Sequence, residues 1–396
     1  MRKAVRRLAA ITAVWAFLVP PAMADGLTDW SLSPPEIEWD GWTASLGGLA
    51  GGSAFTATKP GEGQQAGASL SALLLPRVQR TLDNGWEIGA RGAILAYHDD
   101  LAGDIYGNRT FEKGYLFAQT PYGRFEAGQN DGAASRLAVT GPSVDAAVAI
   151  DNASTTFFRD PATGEAFINV FRLRTPVFAT SNDAKFTYVS PRLFGIEVAG
   201  SYTPYDAHGG LPFISRGAGG LDRQRNILEA AADYAGDLGD VSYEFYAGAA
   251  YGFDASRTPG HANLKDWGFG GEADDTLGGI KFALGGAYRQ SNAYTFDIAD
   301  ARSSGTTRSW RASTTATMGP WIAGFEYAGG QADEALPSPG LQEHGYGVSL
   351  GYVLNSNLQL TAGWQQLQFR RDTGLFSTGA PNADLNAGFL YLRLHV

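Results

Sequence analysis

The chain has 396 residues, with 52 Gly, no Cys, 12% aromatic and only 18% charged residues, against about 25% charged in an ordinary soluble domain. The missing cysteines exclude a disulfide framework, a thiolate metal site and a thiol nucleophile. Acidic residues outnumber basic ones, 40 to 30, which argues against nucleic acid as a partner, since phosphate binding needs a basic face.

The first residues follow an export-signal pattern. Arg2, Lys3, Arg6 and Arg7 form a positive start, Leu8 to Val19 a short apolar core, and Ala22-Met-Ala24 a small-residue cleavage site. The apolar run is shorter than the roughly 20 residues a membrane helix needs. Residues 1–24 are therefore expected to be a signal peptide, with the mature chain starting near Asp25. Taking its four basic residues from the 30 leaves 26 against 40 acidic, a net charge of −14. Residues 25–40, with Pro34 and Pro35, read as an irregular lead-in.

From 41 to 396 the sequence reads as strands. Segments are expected near 41–52, 67–81, 85–97, 109–120, 123–129, 183–190, 195–203 and 225–235. Eight more are expected near 240–251, 267–273, 279–290, 307–318, 320–330, 344–353, 357–370 and 386–395. Alternation with period two is clearest late in the chain. Tyr243, Phe245 and Tyr251 share one face of their segment and oppose Glu244; Phe282, Leu284 and Tyr288 oppose Lys281 and Arg289. Trp321, Phe325 and Tyr327 oppose Glu326. No run after residue 24 is long and apolar enough for a membrane helix.

The connections sort by length. Short ones fall at Asp83-Asn84-Gly85, Pro121-Tyr122, Pro191-Arg192-Leu193, Gly236-Asp237-Leu238, Asp274-Asp275-Thr276, Gly319-Pro320 and Asn355-Ser356-Asn357. They carry the residues tight hairpins need. Long ones fall near 53–66, 98–108, 130–182, 204–224, 252–266, 291–306, 331–343 and 371–385. Strict alternation of short and long puts all the long loops at one end. Transmembrane barrels have this shape, with short turns inside and long loops outside. The expected fold is all-β, a transmembrane antiparallel barrel of about sixteen strands over 41–396, in contact with membrane lipid. Aromatics such as Trp86, Tyr115, Phe117, Tyr188, Tyr202, Trp321 and Tyr352 are expected to form its interfacial girdles.

The interval 130–182 is far longer than an ordinary loop, and a structureless stretch of that size is most often functional. It carries Asp131, Asp145, Asp151, Asp160 and Glu165 among small and apolar residues. It is expected to fold into the barrel lumen as the third external loop and narrow it. If apolar faces meet lipid, then Glu87, Arg91, Arg124, Glu126, Lys185, Glu197, Arg225, Glu229, Glu244, Lys281, Arg289, Arg311 and Glu326 point into the lumen. Arg or Lys on the lipid side would cost about 2–4 kcal/mol at the midplane.

Enzyme chemistry has little footing here. The histidines are His98, His208, His261, His344 and His395. They form no H-x-x-x-H pair, and no phosphate-binding loop is present. No catalytic residue, metal ligand or cofactor is expected. His98-Asp99-Asp100 reads as a solvated loop rather than a metal site. An outer-membrane barrel enzyme would need a Ser-His pair on the lipid-facing rim, and only His395 comes near such a position.

Gly123-Arg-Phe-Glu-Ala-Gly-Gln-Asn-Asp131 resembles the fifth strand of Gram-negative general porins, which runs into their constriction loop. The segment around Tyr346 to Tyr352, the Leu358 to Trp364 strand and the terminal Leu390, Leu392, Leu394 pattern are similar to that family's closing strands. The chain departs from the family in ending on Val396 rather than an aromatic. The resemblance implies a homotrimer in the bacterial outer membrane, each barrel passing small hydrophilic solutes and ions. It also implies that loop acids face basic wall residues. Asp145, Asp151, Asp160 and Glu165 would then face Arg77, Arg91 and Arg124. The net acidic chain points to a mild cation preference. A substrate-selective channel for sugars or anions is the alternative, with Phe157, Phe158, Phe167 and Phe171 as an aromatic slide.

Overall fold

The computed structural model describes residues 32–59, 63–98, 111–152, 157, 173–180, 182–205, 224–254, 263–292, 306–332, 341–370 and 382–396. Residues 1–24, expected to be a signal peptide, lie outside them, as do Asp160, Glu165, Phe158, Phe167 and Phe171.

The strands are β1 (Glu36–Trp39), β2 (Trp42–Lys59), β3 (Gly63–Thr81), β4 (Glu87–His98), β5 (Phe111–Thr120) and β6 (Gly123–Gln129). After the long interval come β7 (Ala184–Val189), β8 (Ile196–Tyr205), β9 (Gln224–Leu238), β10 (Val241–Asp254), β11 (Leu264–Leu277) and β12 (Ile280–Ser291). The last five are β13 (Thr307–Met318), β14 (Trp321–Ala332), β15 (Leu341–Val353), β16 (Leu358–Arg370) and β17 (Asn382–His395). Each of β2 to β16 pairs antiparallel with its successor, and β17 pairs back onto β2 from Ala387↔Ala57 to His395↔Leu49. Sixteen strands thus close a barrel, which leaves no edge with unpaired backbone groups. The terminus is sewn into this seam: Val396 N–H donates to Gly48 O at 2.8 Å and Gly48 N–H to Val396 O at 3.0 Å.

β1 was not expected. The lead-in read as irregular, yet Glu36–Trp39 pairs with β2 from Glu36↔Ser45 to Trp39↔Trp42. Asp40 and Gly41 have φ of 43° and 76°. Two central residues at positive φ make the hairpin turn whose twist matches its strands. β1 occupies the β2 edge just beyond the point where β17 ends.

The two faces of the sheet differ as the alternation predicted. Phe245, Phe282, Leu284, Phe325, Val348 and Leu350 are exposed on one. Glu126, Lys185, Glu229, Asp233, Asp266, Arg289, Arg311, Glu326, Gln359 and Gln365 are buried on the other. Three expectations about faces and turns fail. Phe117 is buried on the polar face at 3% exposure, and Tyr115 shares that face through its pairing with Arg91; neither belongs to a lipid-side girdle. Arg225 is exposed and pairs with Phe253 across a register shift, and Asn226 in between has φ 50°. This bulge breaks the alternation that would have turned Arg225 to the polar side. Finally, Gly236-Asp237-Leu238 and Asp274-Asp275-Thr276 lie within β9 and β11. The actual turns follow at Gly239-Asp240 and at Gly278-Gly279, whose φ values of 60° and 82° suit a two-residue hairpin. The expected loop 53–66 is mostly strand as well, because β2 runs to Lys59 and β3 starts at Gly63.

The packed cores do not lie between two sheets. One joins Val148, Ile150, Phe157 and Leu173 of the long interval to Phe55, Leu367, Leu385 and Phe389 of the wall. The other joins Ala133, Ala134, Leu137, Val177 and Ala179 to Ile227, Tyr246 and Leu264.

Candidate functional site

The site has two sides: a basic wall on β3 to β6, and the segment 130–183, which leaves that wall bonded to Lys113 and Glu126 and goes on to strands round the rest of the sheet.

On the wall, Arg77 and Arg91 stand directly opposite each other on β3 and β4. Like charges so placed repel. Arg77 Nη2 lies 3.2 Å from Glu87 Oε1, which offsets part of that repulsion. Arg124 on β6 is bonded to Glu126 two residues along the same face. Both Arg91 and Arg124 hold their guanidinium carbons over the Phe117 ring, at 5.2 Å and 4.2 Å from its centroid. Such cation–π contacts are worth about 0.5–1 kcal/mol when exposed and more when desolvated. Arg91 Nε finds no hydrogen-bond acceptor among the described residues.

The segment leaves β6 through a knot of charges. Asp131 Oδ2 lies 2.5 Å from Lys113 Nζ. Arg124, Arg136 and Asn130 all donate to the Glu126 carboxylate, and Lys185 donates to Asn130 O. The short helix α1 (Ala133–Arg136) follows. Its first amides meet polar groups of β8 and β9: Ala133 N–H donates to Ser201 Oγ at 3.1 Å and Ala134 N–H to Glu229 Oε2 at 3.3 Å. Tyr246 OH on β10 donates to Ala134 O at 2.6 Å, and Thr180 Oγ1, on the returning limb, donates to Glu229 Oε1 at 2.6 Å.

Further along, the segment reaches strands far round the sheet. Arg311 on β13 is the hub. Its guanidinium donates to Pro142 O (3.2 Å), Ser143 Oγ (2.5 Å), Asp151 Oδ1 (2.9 Å) and Glu326 Oε1 (2.7 Å). Glu326 in turn accepts from Ile150 N–H at 2.8 Å. Gln359 and Gln365 on β16 donate to Val144 O and Val148 O at 2.8 and 2.6 Å. Arg393 on β17 lies 3.3 Å from Asp145 Oδ1. Asp145 also caps a single 3-10 turn by accepting from Ala147 N–H at 3.0 Å. Burial pushes its carboxyl above the ordinary range, against the pull of that amide and of Arg393.

Side chains have to be absent where the segment seats. A Cβ on Gly324, Gly345 or Gly351 would come within 2.6–2.7 Å of Val144 or Ile150. These glycines, all on the polar face, let the apolar side chains of the segment touch the strand backbone. Phe157 packs between Phe389 (4.8 Å, stacked) and Phe55 (5.2 Å) at 2% exposure. It is a wedge in the wall rather than part of a slide.

Of the acids expected to face the arginine wall, Asp145 and Asp151 have other partners, and Asp160 and Glu165 lie outside the described residues. Asp131 is paired with Lys113, Asp145 with Arg393 and Asp151 with Arg311. Arg77, Arg91 and Arg124 do share one face, as their spacing suggested. Arg311 and Glu326 were legible as polar-face residues but not as anchors. Arg393, Gln359 and Gln365 gave no such signal. The glycines of β14 and β15 did repeat on the polar side, which in hindsight marks a surface that something must approach closely.

A second group of carboxylates lies towards the short turns, on the polar face of β8 to β11. Glu197, Asp233 and Glu244 converge on Arg192 of the β7–β8 turn at 3.3, 2.5 and 3.5 Å. Glu272 stands directly opposite Glu244, and Asp274 lies 3.0 Å from Lys281.

The sequence profile of Gram-negative porins matches residues 10–372. No curated protein sequence matches the chain. Several solved structures share the fold at low identity. The anion-selective porin from Comamonas acidovorans is 13% identical with a TM-score of 0.57, over 90% of this chain and 100% of that one. The outer membrane channel DcaP of Acinetobacter baumannii is 11% identical with a TM-score of 0.59, over 92% and 100%. The in-vitro folded trimer form of OmpT from Vibrio cholerae is 10% identical with a TM-score of 0.53, over 90% and 100%.

Proposed function

Because the chain belongs to the Gram-negative porin family, whose members are outer-membrane channels, we propose that it passes small hydrophilic solutes and ions by passive diffusion through a bore narrowed by the segment 130–183. One observation carries this reading. The segment starts and ends at β6 and β7, yet it bonds to the polar faces of β13, β14, β16 and β17. The apolar face meets lipid, so the polar face lines the bore. A segment that touches the polar face on both arcs supports a path across the lumen. The passage it leaves runs along the β3 to β6 wall, past Arg77, Arg91 and Arg124.

The finer properties rest on charge. The loop acids Asp145 and Asp151 are held by Arg393 and Arg311 and contribute little free field. The carboxylates of β8 to β11, with Arg192 and Lys281 as their bonded bases, favour cations, as does the net acidic chain. The arginine wall opposes them. We propose a mild cation preference as the balance. It should fade between 0.1 M and 1 M salt, as the screening length falls from about 10 Å to about 3 Å. Assembly as a homotrimer is proposed from family resemblance, and an SDS-resistant, heat-labile oligomer is its expected mark.

Planar-bilayer recording tests the core of this reading. Deleting residues 140–170 should raise single-channel conductance, because the narrowest section sets the resistance. An unchanged conductance would show that the segment does not narrow the bore.

A further inference from the structure

We infer that Phe117 is a positioning residue for ion selection, its ring holding the Arg91 and Arg124 side chains spread along the wall that the solute passes. This deepens the channel reading above and rests on it.

Phe117 sits on β5 between two strands that each offer it an arginine. Gly89 of β4 and Glu126 of β6 are its direct cross-strand partners. Arg91 lies two residues from Gly89, and Arg124 two residues from Glu126, in opposite directions along the wall. The ring therefore takes one guanidinium from each flanking strand on the diagonal, at 5.2 Å and 4.2 Å. Diagonal neighbours in a sheet are within reach of aromatic and long side chains.

The seat is built for a ring. Any Cβ at position 89 would fall 2.8 Å from Phe117 Cε1 and Cζ, so only glycine leaves the ring where it lies. The ring is 3% exposed, with Arg91, Arg124 and Glu126 around it on the same face. An aromatic buried there gains from cations over its π-surface in a way that an aliphatic side chain cannot. Arg91 has most need of such a support. Its direct neighbour Arg77 is a like charge that is itself engaged with Glu87, and its own Nε lacks an acceptor among the described residues. Without the ring, a long flexible guanidinium repelled by Arg77 would leave its place, and the field along the passage would change with it.

The experiment is the zero-current potential of the full-length, membrane-inserted channel in a potassium chloride gradient near 0.1 M, for wild type, R91Q, F117L and F117Y. R91Q sets the scale by removing one wall charge, and it should raise cation preference. F117L keeps an apolar, somewhat smaller side chain but has no π-face. It should reproduce most of the R91Q shift at an unchanged wall charge, while F117Y, which restores the face, stays at the wild-type potential. Heat-modifiability on gels checks that each variant assembles; F117M replaces F117L if that variant does not. A wild-type potential for the aliphatic variant beside a shifted R91Q overturns the role of Phe117 and leaves the channel reading standing. A wild-type potential for R91Q itself overturns the placement of the passage along this wall, and the role of Phe117 with it. An F117Y shift equal to that of F117L also counts against the inference, since packing alone would then explain both.

Discussion

Replacing Arg311 by Ala should release the segment 130–183 from its wall without disturbing the barrel. The guanidinium is buried and bonds to two buried carboxylates, Asp151 and Glu326, at 2.9 and 2.7 Å. It also holds Pro142 O and Ser143 Oγ. Its removal leaves two like charges facing each other out of water. Breaking one partner out of a buried ion pair costs about 3–5 kcal/mol. At roughly 1.4 kcal/mol per tenfold, the released population should rise by about two to three and a half orders of magnitude. The strand ladder of β12 to β14 is backbone to backbone and keeps its bonds. The Ile150 amide is the local reporter, because it donates to Glu326 at 2.8 Å. Its hydrogen exchange in detergent micelles should accelerate by that factor, while amides of β13 and β14 stay protected. Single-channel records should gain transitions to larger conductance. R311K keeps the charge but cannot serve four acceptors at once, and should fall between the two. Unchanged exchange at Ile150 together with a quiet wild-type current would refute the claim that Arg311 anchors the segment.

Three further outcomes follow from the same geometry. Phe245 and Phe282 are exposed on the apolar face, so F245R or F282R should cost about 2–4 kcal/mol if near the midplane and lower the folded fraction in lipid-vesicle refolding. K281A removes only a half-exposed pair with Asp274, so it should cost no more than about 1 kcal/mol; the reverse ranking would mean that every strand side chain faces the other way. G324V puts methyl groups where Val144 now lies, and even its Cβ would be 2.6 Å from Val144 Cγ2. It should cost roughly 1–3 kcal/mol by overpacking and shift the conductance while assembly survives, whereas an unaltered conductance would mean that the segment yields freely there.

Much of this protein is written in short-range pattern. Period-two alternation in β10, β12, β14 and β15 sufficed to say which residues share the exposed apolar face. Phe245 and Phe282 are exposed, and Glu326 is buried on the other side. The reason is local: successive side chains in a strand point opposite ways whatever the strand pairs with. Alternating turn lengths, read from Gly, Pro, Asn and Asp, sufficed for closure into sixteen strands. The same local logic located Arg77, Arg91 and Arg124 on one face of neighbouring strands. It failed where one residue changed the count. The bulge at Asn226 moved Arg225 off its expected face, and the glycines at 278 and 279 shifted a turn past Asp274-Asp275-Thr276.

Partnership was decided only by the closed barrel. Asp145 and Arg393 are 248 residues apart, and Asp151 and Arg311 are 160. No spacing in the chain links them. They meet because closure brings β13 to β17 round opposite the point where β6 and β7 give rise to the segment, and because Gly324, Gly345 and Gly351 clear room for it against the wall. Phe117 faces the charged side through its pairing with Gly89 and Glu126 on the neighbouring strands, although an aromatic near a strand end suits the membrane interface equally well by sequence. Which acid meets which base depends on shear and register summed around sixteen strands. That sum is a property of the whole sheet, and no single strand encodes it.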